Sequence, residues 1–229
     1  FLRPGMIVLD IGAHHGFYTL LASRKVGQKG KVIAFEPSPR ERRKLIWHCR
    51  LNRTDNVWIE SCALGSFDGE AELFLVKGKE TGCNSLRPPK VNEPTQPVRV
   101  PIMRLDEYLR CKGIEQVDFI KMDVEGAELE VLRGAAFLLS RKPRPVWMME
   151  VQDIRTEAFG YSAKDIVEFL RQRDFHWFKI TAQGMLLPLT DPSKLHDWPV
   201  YNFVAVPVER LMEIQEFVKE RVPLCQSSE

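Results

Sequence analysis

The sequence predicts an α/β fold, a mostly parallel, doubly wound sheet with an antiparallel finish. Three observations predict it. Short apolar runs such as MIVLDI, KVIAFEP and PVWMMEV alternate with amphipathic stretches, which is the rhythm of strand–helix–strand units with helices on both sheet faces. The first run ends directly on a glycine turn, Gly12 to Gly16, that leads into a helical pattern. Two apolar runs late in the chain, FHWFKI and YNFVAV, lie close together and suit an antiparallel end to the sheet.

Taken in order, Met6 to Ile11 reads as a buried strand, and Phe17, Leu20 and Leu21 open the apolar stripe of a helix. Lys31 to Pro37 forms a second strand, followed by a helix through RERRKLIWHCRLN. Val57 to Leu64 is the third strand. The pattern then changes to an insertion around residues 66–101. Asp68-Gly69 is a turn signal ahead of alternating Ala71, Leu73 and Leu75, which predicts a hairpin. Lys77 to Pro97 is polar and carries Pro88, Pro89, Pro94 and Pro97, so it is either a functional lid or a disordered segment. VRVPI is a short strand, RLDEYL a short helix and VDFIKMDV a central strand. A helix from about Gly126 places Leu129, Leu132, Ala136 and Leu139 on one face. PVWMMEV, the helix SAKDIVEFLRQR, FHWFKI, GMLLPL and YNFVAV follow. A last helix starts at Pro207 with Val208, Leu211, Ile214 and Val218 inward.

Bulk properties narrow the function. A chain of 229 residues buries one sizeable core, so residues 1–229 are expected to form a single domain. Lys and Arg number 33 against 31 acids, and a net charge of +2 supplies no field to recruit nucleic acid or an anionic membrane. No apolar run approaches the roughly 20 residues a bilayer span needs. The chain opens at Phe1 without a signal peptide, and its natural N-terminus is expected upstream. Cys49, Cys62, Cys83, Cys111 and Cys225 are odd in number and widely spaced, which fits reduced thiols and a cytoplasmic location better than disulfides or zinc.

In an open α/β sheet, ligands bind beyond the carboxyl ends of the strands, where Gly12 to Gly16 would lie. The dinucleotide pattern G-x-G-x-x-G fails here: counted from Gly12, its second glycine falls on His14 and its third on Phe17. Asp10 would also place a negative charge beside a pyrophosphate. S-adenosylmethionine has no phosphate and carries a sulfonium and an ammonium group, which Asp10 would attract. Glu36 ends the second strand, where a carboxylate can accept hydrogen bonds from ribose hydroxyls. Ala13, His14 and His15 complete the loop. Pro37 and Ser38, with Cys62, Ala63 and Leu64 at the third strand's end, would flank the adenine. His14 and His15 are read as bonding locally rather than as bases.

A second constellation lies in FIKMDVEGAELEVLRGA. Glu128 and Glu130 suit a first helical turn. Asp123 ends a central strand beside the expected cofactor, with Glu125 two residues on and Glu150 at the end of the neighbouring PVWMMEV. Carboxylates gathered in one crevice raise each other's pKa. Asp123 is the first candidate for a general base, and Glu125 and Glu150 are the next. No ligand spacing marks a dedicated metal site.

VLDIGAHHGFYTLLA, VIAFEPSP, CALG, NSL, RLDEYL and DFIKMDVEGAELEVLRGA, in this order, resemble the FkbM family of S-adenosylmethionine-dependent methyltransferases. The similarity spans about Val8 to Val151, and D-x-E-G-x-E is its most diagnostic part. The resemblance implies the Rossmann-like class I methyltransferase fold with an antiparallel last strand, and O-methylation of a hydroxyl on a sugar or polyketide-type small molecule. By position it makes Asp10, Gly12, Gly16 and Glu36 cofactor residues and sets Asp123 and Glu125 at the reacting centre. Two positions depart from it: His14 stands where the family usually has Asn, and Gln152 where it often has His after Glu-x. The rival readings are an RNA methyltransferase, for which RERRK would be the basic patch although it reads better as a solvated helix face, and a non-catalytic S-adenosylmethionine-binding module.

Overall fold

The computed structural model describes residues 1–191 and 202–219. Cys225 and Tyr201, the first residue of the predicted YNFVAV strand, lie outside them. The chain begins with strand β1 (Ile7–Ile11), helix α1 (Phe17–Val26), β2 (Lys31–Phe35), α2 (Pro39–Leu51) and β3 (Val57–Glu60). An insertion follows: β4 (Ala63–Leu64), β5 (Gly69–Val76), a single 3₁₀ turn (Thr81–Cys83) and β6 (Thr95–Met103). The second half runs α3 (Leu105–Lys112), β7 (Phe119–Met122), α4 (Glu128–Arg133), α5 (Ala136–Ser140), β8 (Val146–Glu150), α6 (Asp153–Thr156) and α7 (Ala163–Arg171). It closes with β9 (Phe175–Ile180), β10 (Leu186–Pro188), β11 (Asn202–Pro207) and a 3₁₀ helix (Val208–Phe217).

Eight strands form the main sheet in the order β10-β9-β11-β8-β7-β1-β2-β3. From β3 to β8 every neighbour is parallel, while β11 runs antiparallel to both β8 and β9. The core is the apolar content of the central strands, with Leu9, Ile33, Ile120 and Trp147 fully buried. The chain steps outward from β1 to β3 and then returns to the other side of β1 at β7. That reversal opens a crevice at the carboxyl ends of β1, β2 and β7.

Four local expectations are corrected. The run 57–64 breaks at Ser61-Cys62, and its last two residues leave the main sheet to pair with β6. Asp68-Gly69 does not close a tight hairpin. Gly69 instead starts β5, which pairs along its length with β6, and residues 77–94 bridge the two. Asp68 turns back to accept the backbone N–H of Arg104 at 2.8 Å. The helix expected from Gly126 is divided at Gly134, where a Cβ would lie 2.0 Å from the Gly65 carbonyl oxygen. The division moves the buried position from Ala136 to Ala135. The last helix is 3₁₀, with Leu211 and Ile214 buried and Val208 exposed.

Helix α1 is also rotated relative to its apolar stripe. Thr19, Ala22, Ser23 and Val26 face inward, and Phe17 is 74% exposed. Two hydrogen bonds fix the rotation: Thr19 to Asp10, and Ser23 Oγ to Asn56 Oδ1 at 2.6 Å. Among the described residues, no helix is long and apolar enough to cross a membrane.

Candidate functional site

The turn after β1 is held from several sides. The N–H groups of Gly12 and Ala13 both donate to the Phe35 carbonyl at 3.0 Å, and Asp123 N–H donates to the Ile11 carbonyl at 2.9 Å. Gly12 has φ +80°, and a Cβ there would sit 1.8 Å from the Asp123 carbonyl oxygen. Only glycine permits both that conformation and that approach. Gly16, at φ +90°, lies against Leu45. His14 is itself left-handed at φ +48°.

This geometry aims two donors at one acid. The His14 N–H donates to Glu36 Oε2 at 2.7 Å and the Ser38 N–H to Glu36 Oε1 at 2.8 Å. Ser38 caps α2, accepting from the Glu41 N–H, and the Arg42 guanidinium donates to the Glu36 and Pro37 carbonyls at 2.8 and 3.0 Å. Glu36 is buried, and burial raises its pKa to about 7. Each carboxylate oxygen keeps a lone pair beyond those two bonds.

A narrow cleft opens there, between the ends of β1, β2 and β7 and the insertion. Gly12, His14, Glu36, Pro37 and Asp123 form its polar side. Cys62, Ala63 and Leu64, with Ile11, Phe35 and Leu73, form its apolar side. An acid with free lone pairs beside an apolar slot fits the ribose and adenine of S-adenosylmethionine. Asp10 is placed differently from a cleft acid. It is buried under α1, accepts from Thr19 Oγ1 at 2.5 Å, and does not line the cleft. Burial raises its pKa, opposed by Thr19 and Lys121. Ala13, His15, Gly16 and Ser38 also shape the loop without lining the cleft.

Asp123, Glu125 and Glu150 come together, with one oxygen of each within 4.8 Å of the others. Asp123 Oδ2 accepts from the buried Lys121 ammonium at 3.1 Å. Burial and the Asp123 charge raise Glu150 to about 7. Gln152 donates to its Oε1. Burial pushes Glu125 up to about 8, against the pull of Arg155, whose Nε lies 3.0 Å from Oε2. Glu128 is not a solvated cap. It is buried, its pKa raised to about 7 by desolvation, and it accepts the Gly126 N–H at 3.2 Å.

Two groups of site residues had no contact assigned from the sequence, although NSL (Asn84 to Leu86) is part of the resemblance and Lys77 to Pro97 reads as a lid or a disordered segment. The insertion is an ordered wall of the cleft, contributing Thr81, Gly82, Asn84, Ser85 and Leu86. Thr81 Oγ1 lies 3.0 Å from His14 Nε2, and Ser85 Oγ donates to the Glu125 carbonyl at 2.7 Å. The prolines and polarity of that segment carry no information about these contacts. The second group is Lys121 and Arg155, which hold the acids. A lysine inside a buried strand, FIKM, was the available signal for the first.

Residues 10–177, well over half of the chain, match the family described as Methyltransferase FkbM domain. Methyltransferase 1 of Beauveria bassiana (strain ARSEF 2860) is 30% identical over 56% of this chain and 57% of its own length. The 2-O-methyltransferase NoeI of Sinorhizobium fredii (strain NBRC 101917 / NGR234) is 29% identical over 61% of each chain. This chain therefore spans about three-fifths of the length of these curated relatives. Among solved structures, methyltransferase FkbM from Methylobacillus flagellatus KT superposes with TM-score 0.52 at 16% identity, covering 88% of this chain and 43% of that one. That likeness is one of fold.

Proposed function

The chain belongs to the FkbM methyltransferase family, and on that premise we propose that it methylates a hydroxyl oxygen of a small polar molecule, of the sugar or polyketide type, using S-adenosylmethionine. The observation that carries the reading is the pairing of Glu36, fixed by two backbone donors, with Asp123 across one cleft. The cofactor supplies a methyl group on a cationic sulphur. The chain supplies position and a proton acceptor.

Glu36 accepts the ribose hydroxyls, and the apolar wall from Cys62 to Leu64 takes the adenine. Asp10, buried under α1 and bonded to Thr19, sets the loop geometry and contributes negative potential from behind. The Thr81–Leu86 wall lines one side of the cleft, which favours a bound acceptor held in line. An alcohol must lose its proton as it is methylated. Asp123, which alone of the three acids lines the cleft, receives that proton, with Lys121 holding its carboxylate. A positioned base of this kind contributes on the order of 10²–10⁴ in rate. The 2-O-methyltransferase name of one relative supports oxygen as the accepting atom.

The test is to incubate the protein with S-adenosylmethionine and a panel of sugars and hydroxylated polyketides, reading S-adenosylhomocysteine by chromatography. Tight cofactor binding with no S-adenosylhomocysteine from any acceptor would favour a binding module. Failure to bind S-adenosylmethionine at millimolar concentration would sink the proposal.

A further inference from the structure

The His14-His15 pair and Glu41 are not used in the chemistry above, yet they converge on one point. The two imidazole rings stack with centroids 3.7 Å apart and an interplanar angle of 18°. Both Nε2 atoms face the same carboxylate oxygen, Glu41 Oε2: His15 is hydrogen-bonded to it and His14 lies 3.6 Å away. Glu41 is fully buried, although it sits within a run of charged residues. Its other oxygen is held by Arg40 Nε, so the first is left to face the rings. The Lys44 ammonium lies 3.2 Å from His15 Nε2 and 3.5 Å from Glu41 Oε2, so a cation already sits against this donor set.

We propose that His14, His15 and Glu41 form a binding site for a divalent transition ion, zinc first, with the Lys44 ammonium as the competing cation. Two imidazoles and one carboxylate are a donor set that zinc takes with its fourth position open. One donor atom from each residue falls within a sphere where all lie 4.8 Å or less apart. Small rotations bring them to the roughly 2.0–2.2 Å that zinc requires. Lys44 is half exposed on a flexible stem and can swing into solvent. Arg40 then acts as the outer group that orients the ligating carboxylate. The ion would take the same His14 nitrogen that faces Thr81, so its binding is coupled to the cleft wall. This inference does not depend on the methyl-transfer reading.

The experiment uses the chelator-treated chain, titrated with Zn²⁺ in competition with a chromogenic chelator, and Co²⁺ absorption as a second probe. Wild type is expected to bind one zinc at micromolar or tighter affinity, with no thiolate-to-cobalt band. His15→Gln and Glu41→Gln are each expected to weaken binding about 100-fold or more, beyond the 10- to 100-fold that outer-shell changes cost. Lys44→Met is expected to tighten it. Circular dichroism and melting confirm that each variant is folded, and His15→Gln keeps the test decisive if Glu41→Gln is not. The proposal is overturned if wild type binds no zinc below 100 micromolar, or if His15→Gln binds as wild type does. It is equally overturned if a thiolate band appears, or if binding disappears in Asp123→Asn/Glu150→Gln and persists in His15→Gln.

Discussion

The backbone N–H of His14 donates across 2.7 Å to Glu36 Oε2, tying the turn after β1 to the end of β2. The bond fixes the acid toward the cleft at no cost to its remaining lone pairs. Glu36→Gln keeps the size and removes the charge, so S-adenosylmethionine affinity is expected to fall about 10- to 100-fold, the worth of one charged hydrogen bond. Calorimetric titration reads the change. Unchanged affinity would remove Glu36 from the ribose role.

Gly12→Ala meets two obstacles at once, a left-handed φ and a carbonyl oxygen 1.8 Å from the new methyl. The β1 and β7 ends must separate to admit it. A loss of about 2–4 kcal/mol is expected, seen as a lower urea midpoint. Asp123 moves with that carbonyl, so turnover is expected to fall further than the folded fraction does.

Asp123→Asn preserves shape and the cleft wall while removing the proton acceptor. Turnover is expected to drop about 10²- to 10⁴-fold with cofactor affinity nearly unchanged. The split is measured by comparing S-adenosylhomocysteine formation with equilibrium binding. Undiminished turnover would take the base role away from Asp123.

Burial lifts Glu36, Glu128 and Glu150 to about 7 and Glu125 to about 8, from an ordinary 4.5. Between pH 4.5 and 8 the folded chain therefore holds more protons than the unfolded one, and stability declines as pH rises through that window. The stabilisation from these four acids is complete below pH 4.5. Glu209, held at about 2 mainly by the Arg144 hydrogen bonds against its own desolvation, contributes in the opposite sense and is lost as pH falls from 4.5 toward 2. A stability maximum near pH 5 is expected, with a lower melting temperature at pH 8.5 than at pH 5.5. Glu128→Gln should flatten that slope. A melting temperature that rises between pH 5.5 and 8.5 would refute the assignment.

The sheet, its switch point and the acids at the strand ends were legible because each depends on local pattern: buried apolar runs, glycines after strands, and D-x-E-G-x-E. What stayed hidden depends on contacts distant in sequence. The rotation of α1 follows from Thr19 meeting Asp10 and Ser23 meeting Asn56, against a stripe that points Phe17 inward. The same Thr19 bond turns Asp10 away from the cleft. Glu41, inside RERRK, reads as solvated, and the approach of His15 and Arg40 to its two oxygens accounts for its burial. The break at Gly134 needs the Gly65 carbonyl beside it. Lys77 to Pro97 reads as either a lid or a disordered segment, and the contacts of Thr81 and Ser85 are tertiary.

Strands β5 and β6 remain paired up to Val76 and Thr95, so the intervening segment leaves and rejoins the fold at adjacent points. Its closure is already secured at the neck, and each doubling of its length would cost only about 0.6 kcal/mol. A change of length there is thus cheap in closure entropy, and its cost falls on the contacts of Thr81 with His14 and of Ser85 with the Glu125 carbonyl. Grafting another segment between Val76 and Thr95 would therefore reshape one wall of the cleft while the paired strands β5 and β6 hold the neck in place.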